Sequence, residues 1–125
     1  MAKIGDLNVS VKMNNDDIYL TNQTGTPYYA SPEVWSNELY SFDCDVWSFG
    51  CVIYELCTLN KPFEGKNLDR LYRRIIRLKY DPIPYRYSSD LSDVIESCLQ
   101  NRNKRISVES LKRIFDLHNK PAQVK

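Results

Sequence analysis

Apolar residues follow several distinct patterns along the chain, and each pattern dictates its own kind of element. From Ala2 to Met13 they alternate loosely, with Ile4, Leu7, Val9, Val11 and Met13 apolar and Gly5 or Asn8 breaking the run, which predicts short strands joined by a tight turn at a sheet edge. The polar run Asn14, Asn15, Asp16, Asp17 opens a stretch without helical periodicity that continues to Gly25, and this predicts an exposed loop. Loops of that length in small domains tend to carry function. Beyond it, Ser31 stands before Pro32 and Glu33, a proline at the first helical position with an acid in the first turn, so a short helix is predicted there.

From Asp45 to Leu59 the pattern changes in kind. Ten of the fourteen residues from Val46 to Leu59 are apolar or aromatic and they cover every side of a helical wheel, so the sequence predicts a helix buried all round. Leu68, Leu71, Tyr72, Ile75 and Ile76 recur at helical spacing with Arg70, Arg73, Arg74 and Arg77 opposite them, predicting a one-sided surface helix ended by Pro82 and Pro84. Leu91, Val94, Ile95, Cys98 and Leu99 repeat that spacing behind Ser89 or Asp90 as cap. The last helix is predicted behind Ser107, with Val108, Leu111, Ile114 and Phe115 turned inward and a polar tail from Asn119.

A helix apolar on all sides needs neighbours on all sides. The chain offers three amphipathic helices after it and only a short helix, a loop and a little strand before it. The expectation from burial alone is that elements covering this helix lie upstream and are missing from the chain.

Composition narrows the function classes. At 125 residues, 42% hydrophobic and 26% charged, the chain has the makeup of one globular domain, and a formal charge of +1 offers no global field for nucleic acid or lipid. The basic residues of the Leu68 to Leu78 segment, with Arg102, Lys104 and Arg105, lack the aromatic interleaving of a nucleic-acid surface. No apolar run has the length of a membrane span. Cys44, Cys51, Cys57 and Cys98 form no CxxC or His/Cys grouping, so reduced, mostly buried thiols are expected rather than zinc or disulfides.

The segments GDLN at Gly5 to Asn8, GTPYYASPE at Gly25 to Glu33, and SFDCDVWSFGCVIYELCTLNKPFEG at Ser41 to Gly65 together resemble the C-terminal lobe of a protein kinase. The wording GTPYYASPE resembles most the NIMA-related serine/threonine kinases. The resemblance runs from about Lys3 to Phe115. It implies a mainly α fold with a short β segment at the N-terminus, residues 1–118 forming a partial kinase domain and 119–125 a polar tail. Residues 6–33 would be the activation segment and 34–118 the helical subdomain, with the N-lobe and the catalytic loop absent.

Roles follow from the resemblance position by position. Asp6, in Asp6-Leu7-Asn8, would hold Mg²⁺ bridging the ATP phosphates, making ATP and Mg²⁺ the implied cofactors. Thr26 would be the substrate-site threonine that marks serine/threonine specificity. Thr21 and Thr24 are candidate regulatory acceptors on a loop that phosphorylation would order against arginine. Glu33, closing Ser31-Pro32-Glu33, would pair with Arg105, two residues far apart in sequence whose geometry allows a bidentate bridge. Asp45 would hydrogen-bond the backbone of the catalytic loop, or serve as an ordinary helix N-cap.

The implied activity is transfer of the ATP γ-phosphate to protein serine or threonine. Only five residues precede Asp6, so the glycine-rich loop, strand lysine and HRD loop have no counterpart here, and this chain alone is expected to be inactive, with no catalytic residue of its own. The alternative is a catalytically dead, kinase-like module that binds proteins. Either way the expected partner is a protein, as substrate or binding partner, with no nucleic acid and no membrane. Family resemblance implies a cytoplasmic, cytoskeleton-associated location.

Overall fold

The Pro27–Tyr29 turn is a single turn of 3-10 helix, and it leads into α1 (Pro32–Trp35), where proline's fixed backbone angle and missing N–H suit the first helical position. The computed structural model describes Lys3 and residues 27–119, so the strand-like stretch from Ala2 to Met13 and the loop to Gly25 lie outside the described residues, Lys3 apart. The fold is mainly helical. Among the described residues only the isolated bridge position at Tyr40 has β character.

α2 (Asp43–Thr58) is the longest element described and starts two residues before the predicted Asp45. Phe42 stands at its N-cap and supplies no side-chain bond, but Asp43 and Asp45 in the first turn complement the helix dipole. Val46, Trp47, Gly50, Cys51, Tyr54 and Cys57 are buried. Val52 and Leu56, one helical turn apart, remain 48% and 68% exposed. The expected all-round burial is therefore wrong: an apolar wheel fixes what a helix can bury, whereas the neighbours decide which side is covered.

The covering neighbour is α4 (Ser89–Cys98), and Gly50 sets how near it comes. A Cβ placed on Gly50 would sit 2.6 Å from Cys98 Cβ, so only a residue without a side chain permits this approach. Trp47 and Phe63, both fully buried, stack with centroids 5.4 Å apart, and Leu71, Ile75, Ile95 and Leu99 belong to the same cluster. A second cluster joins Val46, Val94, Cys98 and Leu111.

Helix ends depart from expectation where local chemistry intervenes. α3 (Leu68–Ile76) is capped by Asn67, whose side chain accepts from Arg70 N–H at 2.9 Å. It stops well before Pro82, because Leu78 turns left-handed at φ 55° and its N–H closes onto Ile75 O. At α4 the cap is Ser88, which accepts from Leu91 N–H at 3.2 Å, rather than Ser89 or Asp90. α5 (Val108–Asn119) has Ser107 as cap, accepting from Ser110 N–H at 3.1 Å. Of its predicted inward positions Leu111 is buried and Ile114 half-buried, while Val108 and Phe115 are exposed. No described helix is long and apolar enough to cross a membrane.

Candidate functional site

Arg105 is placed by a tight turn after α4. Lys104 and Arg105 N–H both donate to Asn101 O at 2.9 Å, and Ile106 N–H donates to Ser97 O at 3.0 Å, which throws the arginine back under the helices. Its guanidinium then donates to three acceptors. Nη2 reaches Glu33 Oε1 at 2.8 Å, Nη1 reaches Asp43 O at 2.8 Å and Nε reaches Gln100 O at 3.1 Å. The Glu33 and Arg105 side chains are 2% and 0% exposed. The bridge to Glu33 is a single contact rather than a bidentate one, since the other face of the guanidinium serves backbone carbonyls. Trp47 lies beneath it, 5.3 Å from ring centroid to guanidinium carbon.

A second arginine fastens the same region from outside. Arg102 Nε donates to Asp43 Oδ2 at 2.7 Å and Nη1 to Leu39 O at 2.6 Å, with both side chains about a third exposed. Arg102 thus holds the α1–α2 connection to the α4–α5 turn. Ser31 Oγ, Glu33 Oε2, Asp43 Oδ1 and Trp47 Nε1 are buried in this knot without a hydrogen-bond partner among the described residues.

Upstream, the 3-10 turn is held onto α2 from its other end. Tyr29 O–H donates to Glu55 Oε2 at 2.7 Å, and Ser48 O–H donates to Tyr29 O at 2.9 Å. The bond to Glu55 favours the neutral phenol, which pushes Tyr29 up to about 12. α1 is braced against α3 by Ser36 Oγ and Tyr72 Oη, 3.1 Å apart, and by the tilted Trp35–Tyr72 ring pair. The stretch from Pro27 to Trp35 is therefore clamped by Glu55 and Ser48 at one end and by Arg105 at the other.

Asp45 lies exposed in the first turn of α2 and does not act as the N-cap. The contact recorded at its carboxylate is a long one from Cys44 Sγ at 4.0 Å, and desolvation raises its pKa above the ordinary value. Asp6, Thr21, Thr24 and Thr26 lie outside the described residues. Among the described residues no group of His, Cys, Asp and Glu could hold a metal ion. Burial pushes the thiols of Cys44 and Cys51 up to about 12 and Cys98 to about 11, so they stay protonated at neutral pH and unfit as nucleophiles.

Tyr29, Asp43, Ser48, Glu55 and Arg102 belong to the site and escaped sequence reasoning. Glu55 carried a usable signal, as the one charged residue in α2 beyond its first turn. Arg102 stands beside Lys104 and Arg105 in a basic stretch, and nothing local distinguishes it from Lys104.

The protein kinase domain family matches residues 1–114. The chain is 42% identical over 117 residues to serine/threonine-protein kinase Nek5 of Homo sapiens, covering 92% of this chain and 16% of that protein. It is 40% identical over 114 residues to serine/threonine-protein kinase Nek4 of Mus musculus, covering 90% of this chain and 14% of that one. G2-specific protein kinase nimA of Emericella nidulans is 40% identical over 99 residues, covering 79% of this chain and 14% of its own length. The chain thus spans less than a fifth of the length of each of these three relatives. With its helical fold and a match across nine-tenths of its length, the chain belongs to the protein kinase family, and its relatives are NIMA-related serine/threonine kinases.

Proposed function

We propose that this chain is part of a serine/threonine protein kinase and supplies the platform on which the protein substrate is laid. The reaction is attack of a substrate serine or threonine hydroxyl on the γ-phosphorus of ATP, with ADP leaving. The observation that carries this reading is the clamped Pro27–Trp35 stretch, held by Tyr29 on Glu55 and by Glu33 on Arg105. Its Pro27-Tyr28-Tyr29 turn directly follows Thr26, the residue that the resemblance assigns to substrate choice. A surface that orients a hydroxyl must be fixed before the substrate arrives, because phosphoryl transfer depends on positioning more than on covalent chemistry.

ATP and Mg²⁺ belong to the same proposal, with Asp6 as the metal carboxylate. The 125-residue sequence contains neither a Gly-x-Gly-x-x-Gly loop nor a His-Arg-Asp triplet, so these residues by themselves do not turn ATP over. The activity requires groups that another stretch of polypeptide supplies. Its partners are proteins, and its proposed place is the cytoplasm with cytoskeletal association.

A chimera tests this. Residues 3–117 replace the matching stretch of the Nek5 kinase domain, and transfer of labelled γ-phosphate to serine and tyrosine peptides is measured. The expected result is serine phosphorylation that Asp6→Ala abolishes, with nothing from the isolated chain. A chimera that folds and binds ATP but transfers no phosphate would favour the protein-binding module instead.

A further inference from the structure

Lys61, Arg74, Lys79 and Arg86 come from separate places in the chain: the turn after α2, the body of α3 and the two ends of the α3–α4 connection. Together they line one cleft of about 630 Å³. Glu64 and Asp81 are the carboxylates among its lining residues, which leaves an excess of two positive charges. None of the four cations takes part in an ion pair among the described residues, where the pairs are Arg73–Asp69, Arg102–Asp43 and Arg105–Glu33. Two of them are nevertheless held in place. Lys61 lies over the Tyr28 ring at 5.1 Å, and Arg86 lies over Tyr87 at 5.0 Å while donating a long bond to Cys57 O at 3.5 Å. Rings hold these side chains without neutralising their charge.

We propose that this cleft binds a phosphate monoester carried on a serine or threonine of an extended peptide segment. A phosphorylated side chain bears close to two negative charges, which matches the excess in the lining, and guanidinium groups meet phosphate oxygens with paired donors. The volume exceeds what one phosphate fills and lies in the range of small-ligand clefts, so backbone on either side of the phosphoresidue fits with it. Pro62, Pro82 and Pro84 make rigid walls for that backbone.

Nucleic acid fits less well. Tyr80 meets Tyr54 and Phe63 edge-on at 5.6 and 5.7 Å, so its ring is engaged within the protein rather than offered to a base. The Tyr54 hydroxyl is spent on Asp81 O at 2.8 Å. This inference does not depend on the phosphoryl-transfer reading, because recognition at the cleft needs no ATP and no catalytic loop.

The test is an amide NMR titration of the ¹⁵N-labelled 125-residue chain with a dodecapeptide of alanine, glycine and one central phosphoserine. The unphosphorylated peptide, inorganic phosphate and a dodecamer of deoxythymidine serve as comparisons. The expected result is saturable shifts centred on Lys61, Arg74, Lys79 and Arg86 with the phosphopeptide, weaker shifts at the same amides with inorganic phosphate, and none with the unphosphorylated peptide. Arg74→Gln with Lys79→Gln, both exposed positions, should weaken binding at least tenfold, whereas Arg113→Gln on α5 leaves it unchanged. Glu64→Gln, which removes a repelling carboxylate, should tighten it severalfold. Equal shifts from the unphosphorylated peptide, or tighter binding of the deoxythymidine dodecamer, would overturn the proposal. Inorganic phosphate binding as tightly as the phosphopeptide would also overturn it, and so would an unchanged affinity in both the double variant and Glu64→Gln.

Discussion

The two sides of α2 have similar composition and opposite fates. On one side Trp47, Gly50, Cys51 and Tyr54 are sealed against α4, the Phe63 loop and α3, while on the other Val52 and Leu56 stand about half or more in solvent. What differs between them is the presence of a fixed neighbour. Where α4 comes close, polar groups are drawn in as well, and Arg105 is desolvated only because Glu33, Asp43 O and Gln100 O receive its donors. The comparison separates positions where one atom matters from positions where a whole side chain does not.

The largest effect is expected at Arg105. Arg105→Ala leaves the Glu33 carboxylate buried without its cation, and breaking one partner of such a pair costs about 3 to 5 kcal/mol. Urea unfolding with an unchanged denaturant slope would register this as a shift in midpoint. Arg105→Lys keeps the charge but cannot serve three acceptors with one planar fork, so it should recover only part of the loss. A loss below about 1 kcal/mol for Arg105→Ala would mean that water already shares the knot, contrary to its burial.

Gly50→Ala probes the same side with a single methyl group. In a helix alanine is normally preferred over glycine by up to about 1 kcal/mol. Here the added Cβ would lie 2.6 Å from Cys98 Cβ, which is fixed to the α4 backbone and cannot swing aside, and 3.2 Å from a Leu99 methyl. Overpacking of this kind costs about 1 to 3 kcal/mol, so the expected net result is destabilisation by about 1 to 2 kcal/mol. A stabilised variant would show that α4 can slide outward freely, and the packed side would then be no better defined than the open one.

Much of this arrangement was legible in the sequence, and the parts that were not share a physical cause. Periodicity located α3, α4 and α5 because a one-sided apolar stripe is produced by a one-sided environment. It failed for α2, whose apolar residues lie on every side of the wheel and therefore carry no information about which side has a neighbour. Pro82 and Pro84 misplaced the end of α3, which stops where its periodic positions stop, at Ile76, ahead of a left-handed turn at Leu78, a residue with no preference for that conformation. Glu33 and Arg105 stand 72 residues apart, and nothing local links them; only the resemblance joined them. Arg102 likewise has no local sign of its role, its partner Asp43 lying 59 residues away.

Arg102 accordingly supplies an intermediate case. Its pair with Asp43 is short at 2.7 Å, yet both side chains are about a third exposed, so solvent screens much of the attraction. Arg102→Ala is expected to cost up to about 1 kcal/mol, and the loss should shrink as salt is raised, which the buried Arg105 pair should not do. Equal losses in low and high salt would place Arg102 with the sealed side.

The smallest effect is expected on the open side, at Leu56. Its side chain is 68% exposed, so Leu56→Gln removes little packing, and glutamine has nearly the helix preference of leucine. The change in unfolding free energy should stay within about 0.5 kcal/mol, as for surface substitutions generally. This near-zero value is informative because the same helix, less than two turns earlier, is expected to object to a single methyl group at Gly50. A loss above about 2 kcal/mol at Leu56 would mean that in solution something covers this side of α2. The contrast between the two sides would then be one of partner rather than of packing.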